Sequence, residues 1–347
     1  MTSGAKKLLT LLAACIFALG FCSCAEEVPP AAPGQQTAEP EAAPTVERGQ
    51  NPDAIRIGVS MQGWQKPYVR RVRDCILAEG EKLAGQVEIT MLNGDEDAEK
   101  QNAQIEKFIS QKMDVIIFNP TSYEDCELGV ELASESGVPL VFVITTTKNA
   151  EKAQAYAISD HKVSALIQMD MVAEYLHGEG NIVMLRGIKG IESEIARTEG
   201  YYEKLEEYSD INLLDIQTAG WTREDAYAIV ENWIRLGMDI DAIVSQNDNM
   251  AIGALQAVEE AGKEGEIAVF GIDGDKDALQ LVKQGKLTGT VNHDAQGQAE
   301  KAVEYAVKLA RGETVESEFV PFERVDGTNV DEFIRRQANE PQNAEDL

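Results

Sequence analysis

The sequence is short of positive charge. Lys and Arg together number 31 against 60 Asp plus Glu, a formal charge of −29 over 347 residues. Such a chain repels polyanions, and no basic stretch follows the first few residues, so nucleic acid is not expected as a partner. Histidine is scarcer still, at three, and of five cysteines only Cys75 and Cys126 lie beyond residue 24. That leaves little material for a transition-metal site. Glycine-rich cofactor loops are missing too. IGVSMQGW stands where G-x-G-x-x-G would follow the first strand, and RGIKGIES carries its glycines at the wrong spacing. There is no nucleophile elbow and no Ser–His–Asp order. Neither an enzyme nor a bound cofactor or metal is expected.

What is present begins with export. Lys6 and Lys7 precede LLTLLAACIFALGF, a run of signal-peptide length but short for a membrane span. FCSC follows, with small Ser23 directly before Cys24, as a lipidated cysteine requires. Residues 1–24 are therefore expected to be a lipoprotein signal ending at Cys24. Residues 25–53 are rich in Pro, Ala and Glu and lack apolar periodicity, so they are expected to be a disordered linker.

From residue 54 the chain alternates strand and helix. AIRIGVS, MDVIIFNP and VPLVFVI are near-continuous apolar strands, separated by amphipathic helices and short Gly, Pro, Asn and Asp turns. This is the pattern of parallel sheets covered on both faces. It restarts after KNAEKAQAYAISD, and 347 residues suffice for two cores. The expected fold is α/β, with two doubly wound parallel-sheet lobes joined by a three-segment hinge near Ser159, His293 and Glu323. Lobe 1 takes residues 54–158 plus 294–322, and lobe 2 takes 159–293 plus 323–337. Cys75 and Cys126 fall on the first and third helices, expected on opposite sheet faces. A disulfide between them is excluded, and both are expected to be buried.

Open α/β sheets bind ligands at the carboxyl ends of their strands. Those ends here supply Gln62, Trp64, Tyr68, Asn119, Trp221, Asn247, Asp273 and His293. Rings offer faces to the apolar side of a sugar, and Asn, Gln and Asp take hydroxyls. Trp233 shares a helical stripe with Ala226, Ile229 and Val230 and is expected in the core. The run Gln246-Asn247-Asp248-Asn249 has more polar groups than one helix cap needs. Asn247 is expected to bind ligand, Asp248 or Asn249 to cap, and Gln246 to close the strand.

VSQNDNMAIGALQAVEEAG and VFGIDGDKDALQLVKQGKLTGTV, with IIFNPTS, SGVPLVFV, ISDHKVSA and DGTNVDEFI, resemble the type 1 periplasmic binding proteins, close to the ribose-binding group. The resemblance runs from Ile55 to about Ile334. It implies that Asn247 and Asp273 bind sugar hydroxyls, that Tyr68 and Trp221 stack on the ring, and that His293 replaces a polar residue near the hinge. Two departures matter. Ile144 stands where the family has Asp or Asn after VPLVFV, and Ile195 stands where the ribose type has a sugar-binding Arg. Arg197 matches a more general structural position. An apolar wall at Ile144 and Ile195 implies a small, neutral, partly apolar ligand: a modified or deoxy sugar, a polyol derivative or a nucleoside-like compound.

The expected activity is binding by hinge closure, as a monomeric substrate-binding lipoprotein of an ABC importer. The membrane is met through the lipid anchor and the permease through the closed lobes. The alternative is a membrane-tethered sensor presenting its ligand to a chemoreceptor or histidine kinase. A sugar-responsive repressor shares the two-lobe core, but would need a basic helix-turn-helix where this chain has an export signal.

Overall fold

The computed structural model describes residues 51 and 53–341. The signal segment, Cys24 and the linker apart from residues 51 and 53 lie outside the described residues. Among those described, no helix is long and apolar enough to cross a membrane.

The first sheet holds β1 (Ile55–Met61), β2 (Val87–Asn93), β3 (Val115–Phe118), β4 (Leu140–Ile144) and β5 (Ala155–Ile158), all parallel, in the order β2-β1-β3-β4-β5. Between them run α1 (Pro67–Lys82), α2 (Ala98–Ser110) and α3 (Glu127–Ser136). The reason for continuously apolar strands is visible at β3. Val115 and Ile117 enter the core under α1, while Ile116 and Phe118 enter the core under α2 and α3. With both faces covered, every position of the strand gains about 1.5–3 kcal/mol from burial. Gly58 of β1 is required by the close approach of α2, since a Cβ there would stand 2.7 Å from the Phe108 ring. Cys75 and Cys126 are free, buried and in these two different cores, as their helix positions imply.

The chain then repeats the plan. It runs through α4 (His161–Tyr175), β6 (Gly180–Arg186), α5 (Glu192–Glu207), β7 (Ile211–Thr218), α6 (Arg223–Arg235), β8 (Ala242–Ser245), α7 (Asp248–Glu260) and β9 (Ala268–Phe270). The second sheet is parallel, in the order β7-β6-β8-β9. Ile182 and Met184 of β6 face α4 and α5, and Val183 and Leu185 face α6 and α7. Trp233 is buried on α6 and its Nε1 donates to Asp215 at 2.7 Å.

Three further segments follow: α8 (Lys276–Lys283), β10 (Thr290–His293) and α9 (Ala295–Ala310), and after them β11 (Phe322–Val325) and α10 (Val330–Gln337). Helix α9 packs on α1 and the first sheet, whereas Val325, Val330 and Phe333 join the second lobe's core. Strands β10 and β11 pair antiparallel. The chain thus passes between the two lobes after β5, after β10 and before β11. The fold is the two-lobed α/β architecture that the alternating pattern implies.

Candidate functional site

The ends of β1, β4, β8, β9 and β10 open onto one cleft between the lobes. Gln62, Tyr68, Ile144, Trp221, Asn247, Asp273 and His293 line it together. Three expected site residues do not. Trp64 packs against the first lobe's core, with Arg73 5.3 Å over its ring. Asn119 is fully buried behind the cleft, where its Oδ1 accepts from the Gln62 backbone N–H at 3.3 Å. Ile195 is 38% exposed on α5. Helical geometry explains the last: Ser193 and Arg197, four apart, face the cleft, and residue 195 between them points away. Ile191, just before the helix, supplies the apolar contact instead.

The polar run before α7 resolves differently from expectation. Asn247 is itself the cap: its backbone is extended and its Oδ1 accepts from Met250 N–H at 2.9 Å. Its amide NH2 remains without a partner among the described residues. Asp248 cannot cap because both oxygens are committed, to Asp275 N–H at 2.8 Å and the Thr290 hydroxyl at 2.6 Å. Asn249 accepts from Arg223 Nε at 2.9 Å and donates to Trp221 O at 2.8 Å. Gln246 accepts from Gly187 N–H at 2.9 Å and donates to Thr198 and to Glu194 O. Each of the four side chains therefore fixes a different segment of the cleft wall. Trp221 is held tightly: its backbone takes φ 68°, and a Cβ on Gly187 would fall 1.9 Å from its ring.

At the centre Arg197 and Asp273 lie buried side by side. Arg197 Nη2 stands 3.6 Å from Asp273 Oδ1, while Nη1 donates to Gln246 O. Asp273 has φ 126°, a strained region that costs about 1–3 kcal/mol and marks functional loops. Its N–H donates to Val291 O at 2.9 Å and its C=O accepts from His293 N–H at 3.1 Å, which hold the strain in place. Burial drives the Asp273 carboxyl well above the usual carboxylate range, and Arg197 opposes that rise.

Two histidines complete the floor, both neutral. His161 Nε2–H donates to Ile144 O at 2.8 Å, leaving Nδ1 as acceptor 3.5 Å from Arg197 Nη2. Burial and the Arg197 charge hold its pKa down to about 3. In His293 the tautomer is reversed. Gln298 Nε2 donates to His293 Nε2 at 2.9 Å and to Ser159 Oγ at 3.0 Å, while Gln298 Oε1 accepts from the Tyr68 hydroxyl at 3.0 Å. The proton therefore sits on Nδ1, which is buried without a hydrogen-bond partner, 3.8 Å from Asp273 Oδ1. Burial, His161 and the two arginines push the His293 pKa well down. Tyr68 stacks on His293 at 3.9 Å with planes 5° apart.

Glu192 spans the cleft. It accepts from the Thr145 hydroxyl at 3.0 Å and approaches His161 Nε2 at 3.7 Å. Burial lifts its pKa to about 7. Arg197, His161, Ile191, Ser193, Thr145 and Glu192 were missed as site residues. One signal was available for His161: it is one of three histidines and opens a helix directly after an apolar strand. Among the described residues no cluster of acidic, Cys or His side chains could hold a metal.

The arrangement offers unpaired donors at Arg197 Nε, His293 Nδ1 and Asn247 Nδ2, the Arg197–Asp273 pair, and apolar surface from Ile144, Ile191 and Trp221. A family model described as a periplasmic binding protein domain matches residues 57–314. A protein of Rhizobium meliloti named for rhizopine binding is 31% identical over 287 residues, 81% of this chain and 93% of its own. A xylitol-binding protein of Mycolicibacterium smegmatis is 32% identical over 300 residues, 84% of this chain and 83% of its own. An ABC transporter solute-binding protein of Bacillus halodurans, solved with bound myo-inositol, is 35% identical with a TM-score of 0.79 over 82% of this chain and 99% of that one.

Proposed function

The chain belongs to the periplasmic binding protein family, and we propose that it is the extracytoplasmic binding component of an ABC importer for a small neutral polyol or cyclitol-like sugar relative. The observation that carries the ligand class is the Arg197–Asp273 pair. Arg197 already faces the Asp273 carboxyl at 3.6 Å, so an added anion would have to compete with Asp273 for that cation. A neutral hydroxyl instead receives what the cleft leaves unpaired, the buried Arg197 Nε–H and His293 Nδ1–H, and the amide of Asn247, whose oxygen alone is engaged in the cap, with Asp273 as acceptor. The apolar wall of Ile144 and Ile191 suits a ring face or a carbon edge that lacks a hydroxyl. Relatives that are named for xylitol and rhizopine, or hold myo-inositol, support the same class.

Binding works by closure. A ligand touching Gln62 and Tyr68 from one lobe and Asn247, Trp221 and Asp273 from the other favours the closed form by its differential affinity. The closed lobes then present to the permease, and Cys24 carries the lipid that tethers a monomer to the outer face of the membrane. The three chain passages serve as the hinge.

The test is a thermal-shift panel of myo-inositol, xylitol, pentoses, hexoses, deoxysugars, nucleosides and sugar acids, confirmed by calorimetry. Micromolar binding of a neutral polyol or cyclitol is expected. Preference for a sugar acid, or no affinity for any neutral member, would reject the ligand class.

A further inference from the structure

Away from the ligand contacts, one arginine bridges the lobes. Arg71 belongs to α1, whose neighbouring Val72 and Cys75 lie in the first lobe's core. Among the described residues, the hydrogen-bond partners of its side chain all belong to the second lobe or the segment after α10. Nη1 donates to Asp275 Oδ1 at 3.2 Å and, more distantly, to the carbonyls of Asp273 and Gly274 at 3.4 Å. Nε and Nη2 grip the Glu340 carboxylate at 3.1 and 2.9 Å, a two-bond fork that only arginine makes. The guanidinium side chain is 16% exposed, and Asp275 and Glu340 are 9% and 14% exposed, so the cluster is poorly screened.

Asp275 has given up another role to be there. It occupies the N-cap position of α8 with extended backbone, yet its side chain makes no cap bond. Glu340 is anchored by α10, which packs on α8 through the second lobe's core. The end of that helix also donates from Gln337 Nε2 to Gly274 O at 3.1 Å, meeting Arg71 at the same carbonyl. The segment 273–275 that presents Asp273 to the cleft is thus held from both lobes at once.

We propose that Arg71, Asp275 and Glu340 form an interlobe clasp, with Arg71 as a positioning residue that favours the closed state and steadies the Asp273 loop. Opening the lobes breaks all its cross-lobe bonds together and rehydrates three charges. The clasp biases the open–closed balance even without ligand, and apparent affinity scales with the closed fraction. The affinity consequence rests on the ligand reading above; the closure consequence does not.

The test compares Arg71→Ala, Glu340→Ala and the double variant in the exported protein by small-angle X-ray scattering, with myo-inositol as the probe. Without ligand, each single variant is expected to have a larger radius of gyration than the parent. The double variant should match Arg71→Ala, because both remove one shared contact. Saturating myo-inositol should restore the parent radius, which a folding defect would not allow, and calorimetry should show about tenfold weaker binding. An unchanged ligand-free radius in Arg71→Ala, or full additivity in the double variant, would overturn the clasp. If the radius responds but myo-inositol binds neither parent nor variant, the clasp stands and the ligand class falls.

Discussion

Replacing Arg197 with Met tests the centre of the site most directly. The change keeps much of the side-chain volume but removes the cation 3.6 Å from Asp273 and the donor to Gln246 O. Asp273 is 5% exposed, so its carboxylate would be left nearly dry and alone. Breaking a buried pair by deleting one partner costs about 3–5 kcal/mol. The loss is softened by protonation, because burial already raises this carboxyl. A raised acid binds its proton more tightly in the folded chain, so stability falls as pH rises through the folded pKa. Removing Arg197 raises that pKa further. The cost relative to the parent should therefore be larger at pH 8 than at pH 5. Urea unfolding at both pH values measures it. Adding Asp273→Asn to the Arg197→Met chain removes the stranded charge and should recover about 1–3 kcal/mol at pH 8. A cost below about 1 kcal/mol at pH 8, or no recovery in the double variant, would refute the view that these two groups depend on each other.

Asn247→Ala should lose about tenfold to a hundredfold in ligand affinity by calorimetry and about 1 kcal/mol of stability, because the same side chain caps α7. Asn247→Asp keeps the capping oxygen and should lose affinity alone; equal melting temperatures for Asn247→Ala and the parent would count against the cap. Glu192 is raised by burial from an ordinary 4.5 to about 7, so its contribution is complete below pH 4.5 and is lost as pH climbs through 7. Glu192→Gln should remove a share of at most about 3 kcal/mol from the pH dependence between 5 and 8, read as the difference from the parent in urea titrations. Asp248, also raised to about 7, and Asp273 and Asp275, likewise raised by burial, keep the remaining slope in both chains. Cys24→Ala should move the protein from the membrane to the soluble fraction, and continued lipid-dependent sedimentation would rule out that residue as the anchor.

How far the sequence could be read follows from what each signal depends on. Strands buried on both faces must be apolar at every position, so VIIF and LVFVI announce a parallel sheet without any tertiary knowledge. Strand ends are equally local, which is why Gln62, Tyr68, Asn247, Asp273 and His293 could be listed from the chain alone. Side chains on helices are harder. Whether residue 191, 193, 195 or 197 faces the cleft turns on the start and rotation of α5, and a shift of two positions reverses the answer. Ile195 is singled out by the resemblance, as the position of a sugar-binding Arg in the ribose type, whereas the rotation of α5 turns Ser193 and Arg197 to the cleft and places Ile191 there just before the helix. Capping roles are harder still, since Asn247, Asp248 and Asn249 are all competent caps by type. The choice among them was made by distant groups, Asp275 N–H, Thr290 and Arg223, that compete for the other two. The interlobe clasp lies beyond sequence reading for the same reason. Arg71 and Glu340 are 269 positions apart, and only the folded lobes show that one exists to hold the other.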